Sequence, residues 1–313
     1  RHFFAEGAFN QAFIPIYSDY QKNKNINDAK AFLNAIAGTL LTVLFVFTII
    51  VLIFTPIFVL IFAPGFYIDP LKKDLSIQVL RIMFPYLALM SLVAFAGGIQ
   101  NTHQKFSVPA FTPVLFNLSL IIAAVFVAPY YDMPIYVLAW GVLLAGFLQL
   151  LIQISPLMNI DRLPVPKIDF KNKGVKRFIT LILPAILAGG IFQINLLIDT
   201  IFASILETGS PTWLYVSDRL IQFPLGIFAI AIGTVLLPTL SKYDLNYEKN
   251  KFIQSIKNGQ RFVLFIGVPS LIGLFFCAED IISTIFYSGA FTKIDVIKSS
   301  YSLMAFSLGL PFF

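Results

Sequence analysis

Six ionisable residues lie inside stretches that are otherwise apolar: Arg1, Glu6, Arg81, Asp199, Asp218 and Arg219. A charge in apolar surroundings is costly, so each marks a partner or a task. The arginines are suited to phosphate or pyrophosphate, because the planar guanidinium offers paired donors to two oxygens at once. Asp218 adjoins Arg219, but on a helix it points about 100° away, so it can hold an arginine from another helix instead. Asp199 lies deep in Leu196-Leu197-Ile198-Asp199-Thr200, near Gln193 and Asn195. An acid there must be protonated or paired, and it could hold a coupling cation or proton, or serve only as a hydrogen-bond partner. Arg81, near the outer end of its segment, reads as a snorkelling side chain. No enzyme constellation appears: there is no paired-acid D-D-x-x-D run, H-E-x-x-H, G-x-S-x-G or P-loop. One cysteine, Cys277, with His2 and His103 makes neither a disulfide nor a protein-only zinc site.

The elements that carry these residues follow from composition. Of 313 residues, 58% are apolar and 12% charged, against roughly 45–50% and about 25% in soluble chains. Such a chain cannot cover itself with polar surface, so its solvent is lipid. Nine apolar segments are expected at about 3–20, 31–62, 76–102, 108–129, 134–157, 177–205, 212–241, 252–286 and 296–313. The middle seven reach the ~20 residues needed to cross the hydrocarbon, whereas a membrane barrel would show short alternating runs. The fold class is therefore all-α and polytopic. The chain opens within a helix pattern at Arg1 and is still apolar at Phe313, so it is expected to be a piece of a longer protein.

Thirteen Lys and Arg fall in the odd-numbered loops and three in the even ones. Positive residues stay in the cytoplasm, so the odd loops are expected there. The formal charge of +6 is then mostly a topogenic signal facing anionic membrane lipid. Its spread over separate loops argues against nucleic acid. The polar stretch at 159–176 reads as a linker between an N-lobe, 1–158, and a partial C-lobe, 177–313. The chain repeats across it. Pro15-Ile16-Tyr17-Ser18-Asp19-Tyr20 matches Pro238-Thr239-Leu240-Ser241-Lys242-Tyr243 as P-x-x-S-x-Y, at an offset of 223. Ile61 to Phe66 resembles Ile285 to Phe291 at nearly the same offset. Both copies of the first motif end at an odd loop, which makes the repeat parallel, an architecture of transporters with the site between halves. By the helical rise, Arg1 lies about 21 Å above Pro15 and Arg219 about 28 Å above Pro238. Both arginines thus belong to the outer halves of equivalent helices, where they could face one another as a cationic cavity, snorkel outward, or pair internally, as Arg219 with Glu6. Interior prolines at 56, 85, 113, 184, 224, 238 and 269 serve packing geometry or act as hinges.

The opening stretch, Arg1-His2-Phe3-Phe4-Ala5-Glu6-Gly7-Ala8-Phe9 continuing to Pro15, resembles the F-A-E-G-A-F…A-F-x-P signature of the MurJ (MviN) family. Arg81 to Tyr86, Asn101-Thr102 with Phe106 to Phe111, Thr200 to Ser204, and Ser217-Asp218-Arg219-Leu220 with Phe223 to Gly226 and Gly233 to Pro238 follow in family order. The resemblance implies a two-lobe exporter of the multidrug/oligosaccharidyl-lipid/polysaccharide superfamily. It implies a lipid II flippase of the bacterial inner membrane, multi-pass, serving peptidoglycan synthesis and cell shape, and not an enzyme. The chain would span the end of the second helix to the start of the tenth. It would lack a first helix carrying further arginines and late helices lining a groove for the lipid tail.

By the same resemblance Arg1, Glu6, Asp218 and Arg219 bind substrate in a central cavity. Asp199 falls where some members place an acid proposed to bind a coupling sodium ion. No cofactor is expected, only a coupling ion, Na+ or H+, or the membrane potential. The partners are lipid II and membrane lipids, the acting form a monomer. The cavity would work by alternating access. Two readings compete: a related exporter of another polyprenyl-linked oligosaccharide or of drugs, and a non-transporting membrane scaffold.

Overall fold

In the computed structural model of the chain, residues 8–240 and 249–312 are described. They are helical, with no strand among them. The elements are α1 (Ala8–Asn23), α2 (Ile26–Ile53), α3 (Thr55–Phe62), α4 (Pro70–Met83), α5 (Pro85–Thr102), α6 (Ser107–Ile122), α7 (Pro134–Asn159), α8 (Lys173–Ile205), α9 (Ser210–Leu240), α10 (Lys249–Phe276), α11 (Ala278–Phe286) and α12 (Lys293–Ser307). Five stretches among the described residues are long and apolar enough to cross a membrane: Ile26–Ile53, Pro70–Thr102, Ser107–Tyr130, Pro134–Asn159 and Asn250–Phe276.

Several expected segments divide in the structure, and proline explains two of the breaks. The segment at 31–62 is α2 and α3, with Pro56 starting the second helix, and 76–102 is α4 and α5, with Pro85 at the junction. A proline lacks the N–H that would bond the carbonyl four residues back. Ahead of Pro56 the orphan is Leu52 O, and the Thr55 hydroxyl reaches it at 3.0 Å while also bonding Val51 O at 2.7 Å. Ahead of Pro113, inside α6, the orphan is Pro109 O, and the Thr112 hydroxyl donates to it at 2.8 Å. A threonine immediately before the proline thus replaces the missing donor in both places, as an apolar solvent requires. The first of these segments becomes two helices and the second stays one.

Ser241, Lys242 and Tyr243 of the first repeated motif lie outside the described residues, but the elements around the second recur. A helix of 28 residues, α2, breaks after one residue into a helix of 8, turns, and enters α4. A helix of 28 residues, α10, breaks at Cys277 into a helix of 9, turns, and enters α12.

The chain divides into two compact units, residues up to 201 and from 202 onward. In the first, α1 packs by Phe9, Phe13, Ile16 and Tyr17 on Phe32 and Ile36 of α2, Phe95 and Ile99 of α5 and Phe178 of α8. Phe9 and Phe13 stack at 5.3 Å, and Phe95 meets Phe13 edge-on at 5.3 Å. Gly98 permits the close approach, since a Cβ there would lie 2.9 Å from Asn10 Oδ1. Between α5, α6 and α7 runs a buried amide ladder. Gln149 Nε2 donates to Thr112 O at 2.7 Å, Gln153 Nε2 to Val93 O at 3.3 Å, and Gln100 Nε2 to Gln153 Oε1. Such amides join helices where burial of apolar surface gives no preference for protein over lipid.

The polar stretch after α7 is laid down as a strap. Asp161, at φ 54, closes α7 in the left-handed conformation, with Arg162 N bonded to Leu157 O at 2.9 Å. Lys30 pairs with the Asp161 carboxylate. The strap then meets α2: Val165 N donates to Asn34 Oδ1 at 2.8 Å and Lys167 N to Asn34 O at 3.0 Å.

At the end of α5, His103 Nε2 accepts from Tyr17 Oη at 3.1 Å and from Gln21 Nε2 at 2.7 Å. An amide nitrogen can only donate, so this arrangement needs the ring neutral, with its proton on Nδ1. Burial, and then the Arg162 guanidinium, hold the imidazole pKa below its ordinary 6.5. The unfolded chain therefore takes up the proton first as pH falls, and stability declines with it. The contribution is complete above about pH 6.5 and is lost as pH drops toward the folded-state value. The thermal midpoint of the purified protein should fall between pH 7.5 and 5.5, and His103→Gln should reduce that slope; an unchanged slope would contradict the assignment.

Candidate functional site

Of the four residues expected to bind substrate, the two that are described fall on one helix. Arg1 and Glu6 lie outside the described residues. Asp218 and Arg219 lie in the third turn of α9. Asp199 lies near the end of α8, exposed, and its carboxylate has no ion pair or hydrogen bond to described residues. Asp199 belongs to the first compact unit, and Asp218 with Arg219 to the second.

α9 begins where Gly209, at φ 111, turns the chain, and Trp213 N bonds back to Gly209 O at 3.0 Å. Its packed face carries Trp213, Val216, Ser217 and Ile221, all buried. Ile221 joins Ala278 and Ile282 of α11 and Val296 and Leu303 of α12 in the core of the second unit. At 100° per residue Arg219 lies about 200° from Ser217, almost opposite. The buried stripe therefore turns Arg219 outward, and it is exposed.

Asp218 and Arg219 do not pair directly; Gln222 joins them. Its Nε2 donates to Asp218 Oδ2 at 2.5 Å, and its Oε1 accepts from Arg219 at 3.2 Å. The Arg219 guanidinium also lies 4.8 Å from the centre of the Tyr215 ring, within cation–π range. Among the described residues Arg219 gives one N–H to a neutral amide, and its other donors have no partner there. Beside it lies an aromatic face. A small anion with several oxygens, such as a phosphate, matches that arrangement.

Gln222 and Tyr215 were not among the residues expected from sequence. The available signal was spacing. Tyr215 precedes Arg219 by four, and Gln222 follows Asp218 by four and Arg219 by three, so all share a helix face. Among the described residues no cluster of three or more His, Cys, Asp or Glu could hold a metal ion.

A family model described as Lipid II flippase MurJ matches residues 1–313. The chain is 40% identical over 323 residues to a probable lipid II flippase MurJ of Haemophilus influenzae, covering 99% of this chain and 63% of the relative. It is 36% identical over 314 residues to a lipid II flippase MurJ of Burkholderia cenocepacia, covering 99% and 61%. A solved structure, a lipid II flippase MurJ in an inward closed conformation, superposes with a TM-score of 0.81 at 28% identity, over 99% of this chain and 63% of that one. The chain thus spans about three-fifths of the length of the curated relatives it matches. All of its helices fall within that match, and the chain belongs to the lipid II flippase MurJ family.

Proposed function

We propose that the full-length protein is a lipid II flippase of the bacterial inner membrane. It carries the lipid-linked peptidoglycan precursor from the cytoplasmic to the periplasmic leaflet. The observation that carries this reading is the family match over residues 1–313 together with an exposed Arg219 on α9 that has no ion pair to a described residue. Arg219, with Asp218, Gln222 and Tyr215 around it, takes the pyrophosphate of the headgroup, and Arg1 and Glu6 complete the cavity. The two lobes, 1–158 and 177–313, rock about the linker at 159–176 in alternating access, with the odd loops in the cytoplasm. The polyprenyl tail stays in lipid. Return is driven by Na+ or H+ at Asp199 or by the membrane potential, worth about 2.3 kcal/mol per elementary charge per 100 mV. The protein acts as a monomer among membrane lipids.

The test uses bacteria depleted of their own lipid II flippase. The full-length protein is expected to restore growth and to make lipid II accessible on the periplasmic face. Normal membrane levels without that exposure would overturn the reading. Growth without lipid II exposure would favour a scaffold, and export of another polyprenyl-linked sugar or a drug would favour the related exporters.

A further inference from the structure

The indole of Trp213 is fixed on every side. Its Nε1–H donates to Asp295 Oδ1 at 2.7 Å. The ring lies against Gly209, where a Cβ would come within 2.6 Å of it. Lys298 Nζ sits 5.6 Å from the ring centre and pairs with Glu207 at 2.9 Å. One turn along α9, the fully buried Ser217 hydroxyl divides its single proton between Ser299 O of α12 and Trp213 O of its own helix, each at 2.8 Å. Asp295 is itself immobilised, because its second oxygen accepts from the Thr292 N–H and hydroxyl, each at 2.7 Å. The Trp213–Asp295 bond, with the shared Ser217 bond one turn on, therefore opposes rotation of α9 against α12. Apolar packing alone tolerates rotation, whereas a hydrogen bond has a direction.

We propose that Trp213 and Asp295 are positioning residues for Arg219. They touch no ligand. They fix the angle at which α9 presents Arg219, which lies about 200° from the tied Ser217. A helix turned by one residue position would move Arg219 through about 100° and away from any preorganised anion site. This proposal rests on the reading of Arg219 as a pyrophosphate-binding residue.

The experiment measures lipid II transport by the full-length protein in vesicles, as apparent KM and maximal rate. Trp213→Phe keeps the ring and removes the N–H. It is expected to raise KM at least about fivefold while the maximal rate stays within about twofold. Thr292→Val removes one of the two bonds that hold Asp295 and keeps the Thr292 N–H, so it should lower the thermal midpoint and raise KM less than Trp213→Phe does. Should Trp213→Phe fail to accumulate, Ser217→Ala carries the same test, with KM raised about twofold or more. If Arg219→Ala raises KM and neither α9 variant does, the positioning role is overturned. If Arg219→Ala leaves KM unchanged, the pyrophosphate reading falls, and the proposal with it. A rise in KM for Thr292→Val equal to that for Trp213→Phe would also overturn it, as general loosening of α12.

Discussion

Arg219→Ala in the full-length protein is expected to weaken apparent lipid II affinity roughly ten- to hundredfold and to abolish rescue of flippase-depleted bacteria. The size follows from the bonds at stake. Hydrogen bonds to charged groups are worth about 1.5–3 kcal/mol, and about 1.4 kcal/mol is a factor of ten. Arg219 is poised for such bonds, with one N–H given to Gln222 and the guanidinium resting on Tyr215. Arg219→Lys keeps the charge and loses the planar fork, so its affinity should lie between the two. Arg219→Gln keeps polarity and loses charge, and should behave like alanine. Wild-type affinity and full rescue by Arg219→Ala, at normal membrane levels, would remove the residue from the site. Equal loss in all three variants would point to packing rather than charge. Arg219 has little packing to lose, because it is exposed and its helix is held by the opposite face.

The same helix shows what was legible in the sequence. Length and apolarity placed α9 and its neighbours, because a membrane-spanning helix must satisfy its own backbone. The charge at Arg219 stood out against Leu220 and Ile221. That Asp218 does not pair with it directly was legible too, because neighbours on a helix point about 100° apart. The intermediary, Gln222, is visible only once the helix face is drawn. The tie from Trp213 to Asp295 spans 82 residues, and no periodicity encodes such a contact. The prolines read as packing features or hinges. Their local repair by Thr55 and Thr112 depends on the dipeptide Thr-Pro, a signal present in the sequence but hidden by attention to proline alone.

Gly38→Ala is expected to be the most destabilising of the small glycine replacements, for a reason its neighbours in sequence do not reveal. Gly38 in Ala37-Gly38-Thr39 and Gly273 in Ile272-Gly273-Leu274 both sit inside long apolar helices. In an exposed helix, Gly→Ala should stabilise by about 1 kcal/mol, through lower backbone entropy of the unfolded chain. Gly273 meets that condition, since a Cβ there has nothing within 4 Å. At Gly38 a Cβ would fall 2.3 Å from Lys167 O and 2.8 Å from Ile168 N, both backbone atoms of the strap. Backbone cannot swing aside as a side-chain tip can, so the strap must lift from α2. Lifting it strains the Asn34 bonds to Val165 and Lys167. Overpacking costs about 1–3 kcal/mol, and each bond lost adds about 1 kcal/mol. Gly38→Ala should therefore lower the thermal midpoint of the purified full-length protein by several degrees and expose the strap to protease near Lys167. Gly273→Ala should raise the midpoint or leave it unchanged. A midpoint for Gly38→Ala at or above that of Gly273→Ala would mean that the strap does not lie on α2 in the membrane.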